Sequence, residues 1–139
     1  MSPGTPIDPA LEPLVAAARE AAQNSYSPYS HFRVGAAIEL TNGAIVTAAN
    51  VENVSYGLTI CAEAAAVARA VAEHGPSIRI RAVAVANSNS APSPPCGACR
   101  QILSEFIEPD APVIFPAADG LRTVPFRDLL PLAFEMKHN

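Results

Sequence analysis

At 139 residues the chain has the length of one domain with a single core, and half of those residues are apolar while only 16% are charged. The net charge of −4, with no Lys/Arg cluster, argues against a polyanion as habitual partner, and no apolar run approaches the roughly 18 residues a membrane span needs. So apolar a composition leaves a small sphere little polar surface to spread over itself, and buried subunit interfaces are expected.

Met1 to Pro6 is rich in Ser, Pro and Gly and reads as loose. From about Asp8 to Ala22 the apolar residues Leu11, Leu14, Val15, Ala18 and Ala22 recur at helical spacing, with Asp8 as N-cap before Pro9. Ser25 to Phe32 reads as a loop. Arg33 to Leu40 and Ala44 to Ala49, joined by Thr41-Asn42-Gly43, carry an Asn-Gly hairpin signal. A connecting stretch leads to a helix from about Cys61 to Glu73, ended by Gly75-Pro76. Ile78 to Ala86 has the β-branched, apolar character of a central strand, and Asn87 to Pro95 is a loop of Ser, Asn and Pro. A helix from about Gly97 to Phe106, a strand at Pro112 to Phe115, an Asp119-Gly120 turn, a strand near Leu121 to Val124 and a short helix at Phe126 to Leu130 follow. The order αββαβαββα describes an α/β fold, helices packed on a central mixed sheet, with residues 1–139 as one domain.

All three cysteines fall in two motifs, Cys61-Ala62-Glu63 and Pro95-Cys96-Gly97-Ala98-Cys99. An odd number leaves a disulfide framework one thiol over. The chain also opens without a basic segment leading into an apolar one, so a reducing, cytoplasmic setting is expected. A structural zinc site is usually closed by a fourth protein ligand. Of the three histidines, His74 precedes Gly75 at a helix end, His138 lies by the terminus and His31 sits among turn formers; none has motif spacing to a cysteine. The set fits an open three-thiolate zinc site better. Its fourth position takes water, and a carboxylate that is not a ligand carries protons to and from it.

The predicted elements give this site a rationale. Cys61 and Cys96 each start a helix, where unpaired N–H groups and the positive dipole end favour thiolate. Cys96 and Cys99 are one turn apart. Cys61 and Glu63 would point to opposite sides in mid-helix, so both are expected in the first turn, projecting from its open end.

A Cys, a Glu two residues on and a later P-C-x-x-C form the general pattern of zinc deaminases. Further stretches agree: SPYSHFRVGAA at Ser27–Ala37, NVENVSYG at Asn50–Gly57, PCGACRQ at Pro95–Gln101 and LLPLAF at Leu129–Phe134. From about Tyr26 to Phe134 the sequence resembles the small, zinc-dependent, homotetrameric cytidine deaminases. The resemblance implies a three-layer α/β/α sandwich around a mixed sheet of about five strands. It implies one Zn²⁺ per subunit on Cys61, Cys96 and Cys99, with Glu63 as proton carrier. The reaction implied is hydrolytic deamination of cytidine and 2′-deoxycytidine to uridine and 2′-deoxyuridine with release of ammonia, in pyrimidine salvage. By the same likeness the Ala62 N–H binds the base carbonyl, and the Pro94 carbonyl accepts from the departing amine. Asn50 and Glu52 bind the ribose 3′-hydroxyl. Phe32 and Phe134 flank the base, Phe134 from a neighbouring subunit, and Tyr56 approaches the 5′-hydroxyl across an interface. The homotetramer would thus share its active sites.

One position departs from the family, which usually has Arg directly after the catalytic glutamate, hydrogen-bonded to the cysteine sulfurs. Here it is Ala64, which leaves the site more electron-rich unless another group compensates; Arg100, beside Cys99, is the candidate. The departure keeps open a modified cytosine nucleoside or an aminopyrimidine antibiotic as substrate. A non-enzymatic zinc-binding relative is the other alternative, against which Glu63 speaks, since a structural site needs no such carboxylate. The acidic balance disfavours a polynucleotide editor.

Overall fold

A capped proline turn starts the fold in the computed structural model, which describes residues 7–136. The Asp8 carboxylate accepts from the Ala10 amide at 3.0 Å, and Pro9 opens a 3-10 turn, Pro9–Leu11, where its missing N–H leaves nothing unpaired. The α-helix proper, α1, is Glu12–Ala22, so the helix expected from about Asp8 begins with a turn of tighter winding. The expectations placed on Met1 to Pro6 and on His138 fall outside the described residues.

The hairpin forms as β1, Val34–Leu40, and β2, Ile45–Ala49. Gly43 supplies the left-handed conformation at φ +93°, its N–H donating to the Leu40 carbonyl at 2.9 Å, while the Asn42 side chain accepts from the Ala44 amide. Helix α2, Ala62–His74, ends on Gly75, whose N–H makes the last helical bond to the Val71 carbonyl at 2.8 Å and whose φ of +90° then turns the chain out of the helix. Strand β3 is Ile80–Asn87, α3 Gly97–Ser104, β4 Pro112–Ala117, β5 Gly120–Pro125 and α4 Phe126–Leu129. The nine expected elements are present in the expected order; the differences lie at their ends and in a 3-10 turn, Tyr56–Leu58, within the stretch expected as a plain connection. Ile78 is buried without joining β3, α3 stops two residues before Phe106, and β4 runs to Ala117 because its pairing with β5 continues to Ala117↔Gly120.

The five strands form one sheet in the order β2-β1-β3-β4-β5. Only β3 and β4 are parallel, and the chain between them supplies α3 as the crossover such a pair requires. Among the described residues no helix is long and apolar enough to cross a membrane.

The two faces of this sheet are built from side chains of different size. Ile38, Leu40, Ile80, Val83, Val85, Val113 and Phe115 pack with Ala66, Val67 and Ala70 of α2 and Leu103 of α3. On the other face Ala37, Ala82, Ala84 and Ala86 meet Leu14, Val15 and Ala18 of α1. Small residues on both partners let α1 lie almost on the strands. At Gly35 the approach is so close that a Cβ would stand 2.0 Å from the Ala18 carbonyl oxygen and 2.5 Å from the Ala22 nitrogen. Both are backbone atoms, so Gly35→Ala forces helix and strand apart. We expect it to destabilise the protein by about 3 kcal/mol or more, read as a lowered midpoint in denaturant titration; a midpoint equal to wild type would show that α1 does not sit on β1 as described.

Candidate active site

The register gathers three connecting segments at one end of the sheet. Val34, the first residue of β1, pairs with Asn87, the last of β3, and Gly35 pairs with Ala49, the last of β2. Residues 27–33 before β1, 50–61 after β2 and 88–96 after β3 therefore meet there, and α2 and α3 both start from that end. Cys61 is the N-cap of α2 and Cys96 the N-cap of α3, each in extended backbone. Cys99 lies in the first turn of α3. Glu63 is the second residue of α2, so it and Cys61 share the open end of the helix, as the spacing requires.

The three Sγ atoms lie within 4.8 Å of one another. A tetrahedral zinc with Zn–S near 2.3 Å needs sulfurs about 3.8 Å apart, a separation within that bound, and three thiols are the donors zinc prefers. Their protonation tells the same story. Hydrogen bonds from the Cys99 thiol, and secondarily from Cys96, draw the Cys61 thiol down to about 6 against the effect of burial. Cys99, which donates to Cys61 and is buried, is pushed strongly up. A divalent ion is what lets all three ionise together. Burial raises the Glu63 carboxyl above its ordinary value, its own backbone N–H opposing and charge at Cys61 adding to the rise. Glu63 is 5% exposed, and its place outside the sulfur cluster leaves it free to carry protons.

These groups open on a cavity of about 280 Å³, at the small end of the ~300–1,000 Å³ typical of small-molecule sites. Of the residues expected at a substrate site, Phe32, Asn50, Glu52, Tyr56, Ala62 and Pro94 line it together with Cys61, Glu63 and Cys96. Cys99 lies behind, buried. Phe134 is not among the lining residues of its own chain; it is exposed, and its carbonyl accepts from Gln101 at 3.1 Å.

Asn50 and Glu52 lie in the extended stretch that follows β2, where Val51 bridges to Tyr26 and to Ile60. The Asn50 side chain accepts from the Val34 amide at 2.9 Å and from the Ser25 hydroxyl, and donates to the Phe32 carbonyl at 2.9 Å. Glu52 accepts from the Tyr29 amide at 3.0 Å and from both the amide and the hydroxyl of Ser30. That hydroxyl, ahead of the two amides and neighbouring His31, holds the Glu52 carboxyl below its ordinary value. Both residues therefore stitch the 27–34 loop in place. Ser30, Val34, Thr59 and Ser93 also line the cavity and were not singled out from sequence; serines and a threonine among turn formers carry no signal beyond loop chemistry. Among the described residues Arg100 makes no hydrogen bond to a cysteine sulfur. Its guanidinium donates to the Pro95 carbonyl at 2.7 Å and the Leu129 carbonyl at 3.0 Å, tying the Cys96 loop to the end of α4.

Comparison with known proteins agrees with this geometry. Residues 9–114 match the cytidine and deoxycytidylate deaminase zinc-binding region. The cytidine deaminase of Halalkalibacterium halodurans is 40% identical over 122 residues, 87% of this chain and 91% of that protein. The cytidine deaminase of Mycobacterium tuberculosis is 43% identical over 117 residues, 84% of each chain. Its crystal structure superposes with a TM-score of 0.79, covering 93% of this chain and all of the other. If the three cysteines are the metal ligands, purified protein holds one zinc per chain, and Cys96→Ser or Cys99→Ser lowers zinc affinity by more than about tenfold. Metal analysis after dialysis against a chelator of known affinity reads this. Zinc retained at wild-type affinity by either variant would remove that cysteine from the ligand set.

Proposed function

The chain belongs to the cytidine and deoxycytidylate deaminase zinc-binding family, and on that premise we propose that it hydrolyses cytidine and 2′-deoxycytidine to uridine and 2′-deoxyuridine, releasing ammonia. The observation that carries this reading is Glu63, a buried carboxylate beside three clustered sulfurs, not one of the cluster, and facing a small-molecule cavity. Cys61, Cys96 and Cys99 would hold the zinc, which when bound supplies the Lewis acidity that lets water lose a proton near neutral pH.

Glu63 moves the protons. Its carboxylate takes one from water and delivers it to N3 of the base as the water oxygen joins C4. It then takes the second proton from that oxygen and delivers it to the exocyclic amine, so the C4–N bond breaks and ammonia leaves. One side chain serves as base and then acid, for which a carboxyl raised by burial is suited. The Ala62 N–H, at the first position of α2 where helical amides have no carbonyl partner, binds the base carbonyl. The Pro94 carbonyl accepts from the amine, and Phe32 flanks the ring.

Hydrogen-bond accounting supports Asn50 and Glu52 as the sugar contacts. Both lone pairs of the Asn50 carbonyl and one of its two N–H groups are engaged, and three of the about four acceptor positions on the Glu52 carboxylate are filled. One donor and one acceptor remain among the described residues. A hydroxyl, which accepts one bond and donates another, is the group that satisfies both.

A homotetramer with shared sites accounts for the apolar surface around the cavity mouth. Tyr56 lines the cavity yet is 86% exposed, and Phe134 is 71% exposed outside it. Val54 and Leu58 extend the same uncovered stretch. In this reading Tyr56 and Phe134 complete sites on neighbouring copies, the single domain works as an assembly, and it acts in cytoplasmic pyrimidine salvage.

Zinc-loaded protein given cytidine, 2′-deoxycytidine and cytosine in parallel is expected to release ammonia from the two nucleosides and far less from the free base. Glu63→Gln should keep its zinc and lose about 10²–10⁴-fold in kcat. Silence on both nucleosides from folded, zinc-replete protein would defeat the reading, as would undiminished turnover by the variant. Light scattering should give four chains per particle. A monomer at assay concentration with full activity would exclude shared sites.

A further inference from the structure

We propose that Ser30 is a positioning residue for the sugar end of the cavity, its hydroxyl deciding which acceptor position of Glu52 a substrate hydroxyl meets; this rests on the nucleoside reading above. The two oxygens of Glu52 are held differently. Oε1 accepts two backbone amides, Tyr29 at 3.0 Å and Ser30 at 3.2 Å, and is filled. Oε2 accepts the Ser30 hydroxyl and keeps one position open. The direction left to a ligand is thus set by the serine oxygen.

The same oxygen works on a second wall of the cavity. Ser30 Oγ accepts the Phe32 amide at 3.0 Å, and the Phe32 carbonyl accepts from Asn50 at 2.9 Å. A continuous run of polar contacts, Glu52 to Ser30 to Phe32 to Asn50, therefore joins the two groups assigned to the sugar and the aromatic residue assigned to the base. Ser30 itself lines the cavity. A loop serine serving only the turn would need the bond to the Phe32 amide alone. The additional bond to the carboxylate is what gives Ser30 a part in recognition.

Replacing Ser30 with alanine leaves Glu52 held through Oε1 but opens both positions on Oε2. The carboxylate still accepts a hydroxyl, now without a fixed direction, so the larger loss falls on binding of substrates that carry that hydroxyl, with a smaller one shared by all substrates through Phe32. The test measures kcat and KM of zinc-loaded wild-type, Ser30→Ala and Ser30→Thr proteins for cytidine and for 3′-deoxycytidine. Ser30→Ala should raise KM for cytidine about five- to tenfold with kcat within about twofold, and raise KM for 3′-deoxycytidine clearly less, by the part that comes from the lost bond to the Phe32 amide. Ser30→Thr, which keeps the hydroxyl, should recover most of the lost affinity. Equal losses on the two substrates, a fall confined to kcat, no change on either, or a threonine variant as poor as the alanine one would overturn the positioning role and leave the deaminase reading standing. Wild-type protein inert toward cytidine would overturn both together.

Discussion

Three sulfurs within 4.8 Å of one another, beside a buried carboxylate, cannot all carry charge unless a cation joins them. That constraint organises the rest of the molecule. It explains why Cys61 and Cys96 both sit at helix N-caps, where backbone amides and the dipole ends of α2 and α3 already favour negative charge. It also explains why the two helices must start from the same end of the sheet, an arrangement supplied by the register of β1 against β2 and β3. The parallel β3–β4 pair with α3 as its crossover brings the second motif to that end, and β2 with the 50–61 segment brings the first.

The opposite side of the sheet serves a different purpose. Alanines on α1, β1 and β3, and the absence of a side chain at Gly35, bring α1 into backbone contact with the strand whose first residue, Val34, lines the cavity. Close packing transmits displacement with little give, so a helix on the sheet face opposite α2 and α3 still fixes the strand end beside the site. The residues proposed to meet the sugar are anchored in the same way: Asn50 bonds the Val34 amide and the Phe32 carbonyl, so cavity wall and strand end form one unit.

Much of this was legible in the sequence because the decisive signals are local. Apolar spacing in α1, the Gly43 and Gly75 breaks and the thiol motifs each report on a few neighbouring residues. The convergence of Cys61 and Glu63 on one helix end could be argued from a two-residue spacing alone. What escaped depends on contacts far apart in the chain. Ser30 reads as one serine among several in a loop, and only folding places it against Glu52, 22 residues on. Arg100 looked like a partner for the sulfurs because it follows Cys99, yet carbonyls at Pro95 and Leu129 take its guanidinium. The resemblance to cytidine deaminases named Asn50 and Glu52 as ligand contacts. It carried no sign that the same side chains hold the 27–34 loop.

The central claim is an open three-thiolate centre with Glu63 outside the ligand set. Zinc K-edge X-ray absorption on the metal-loaded protein tests it most directly. The account predicts three sulfur neighbours near about 2.3 Å and one oxygen neighbour near about 2.0 Å, a shell that stays the same in Glu63→Ala. Four protein ligands, whether a histidine or the Glu63 carboxylate supplies the fourth, would close the site and contradict it.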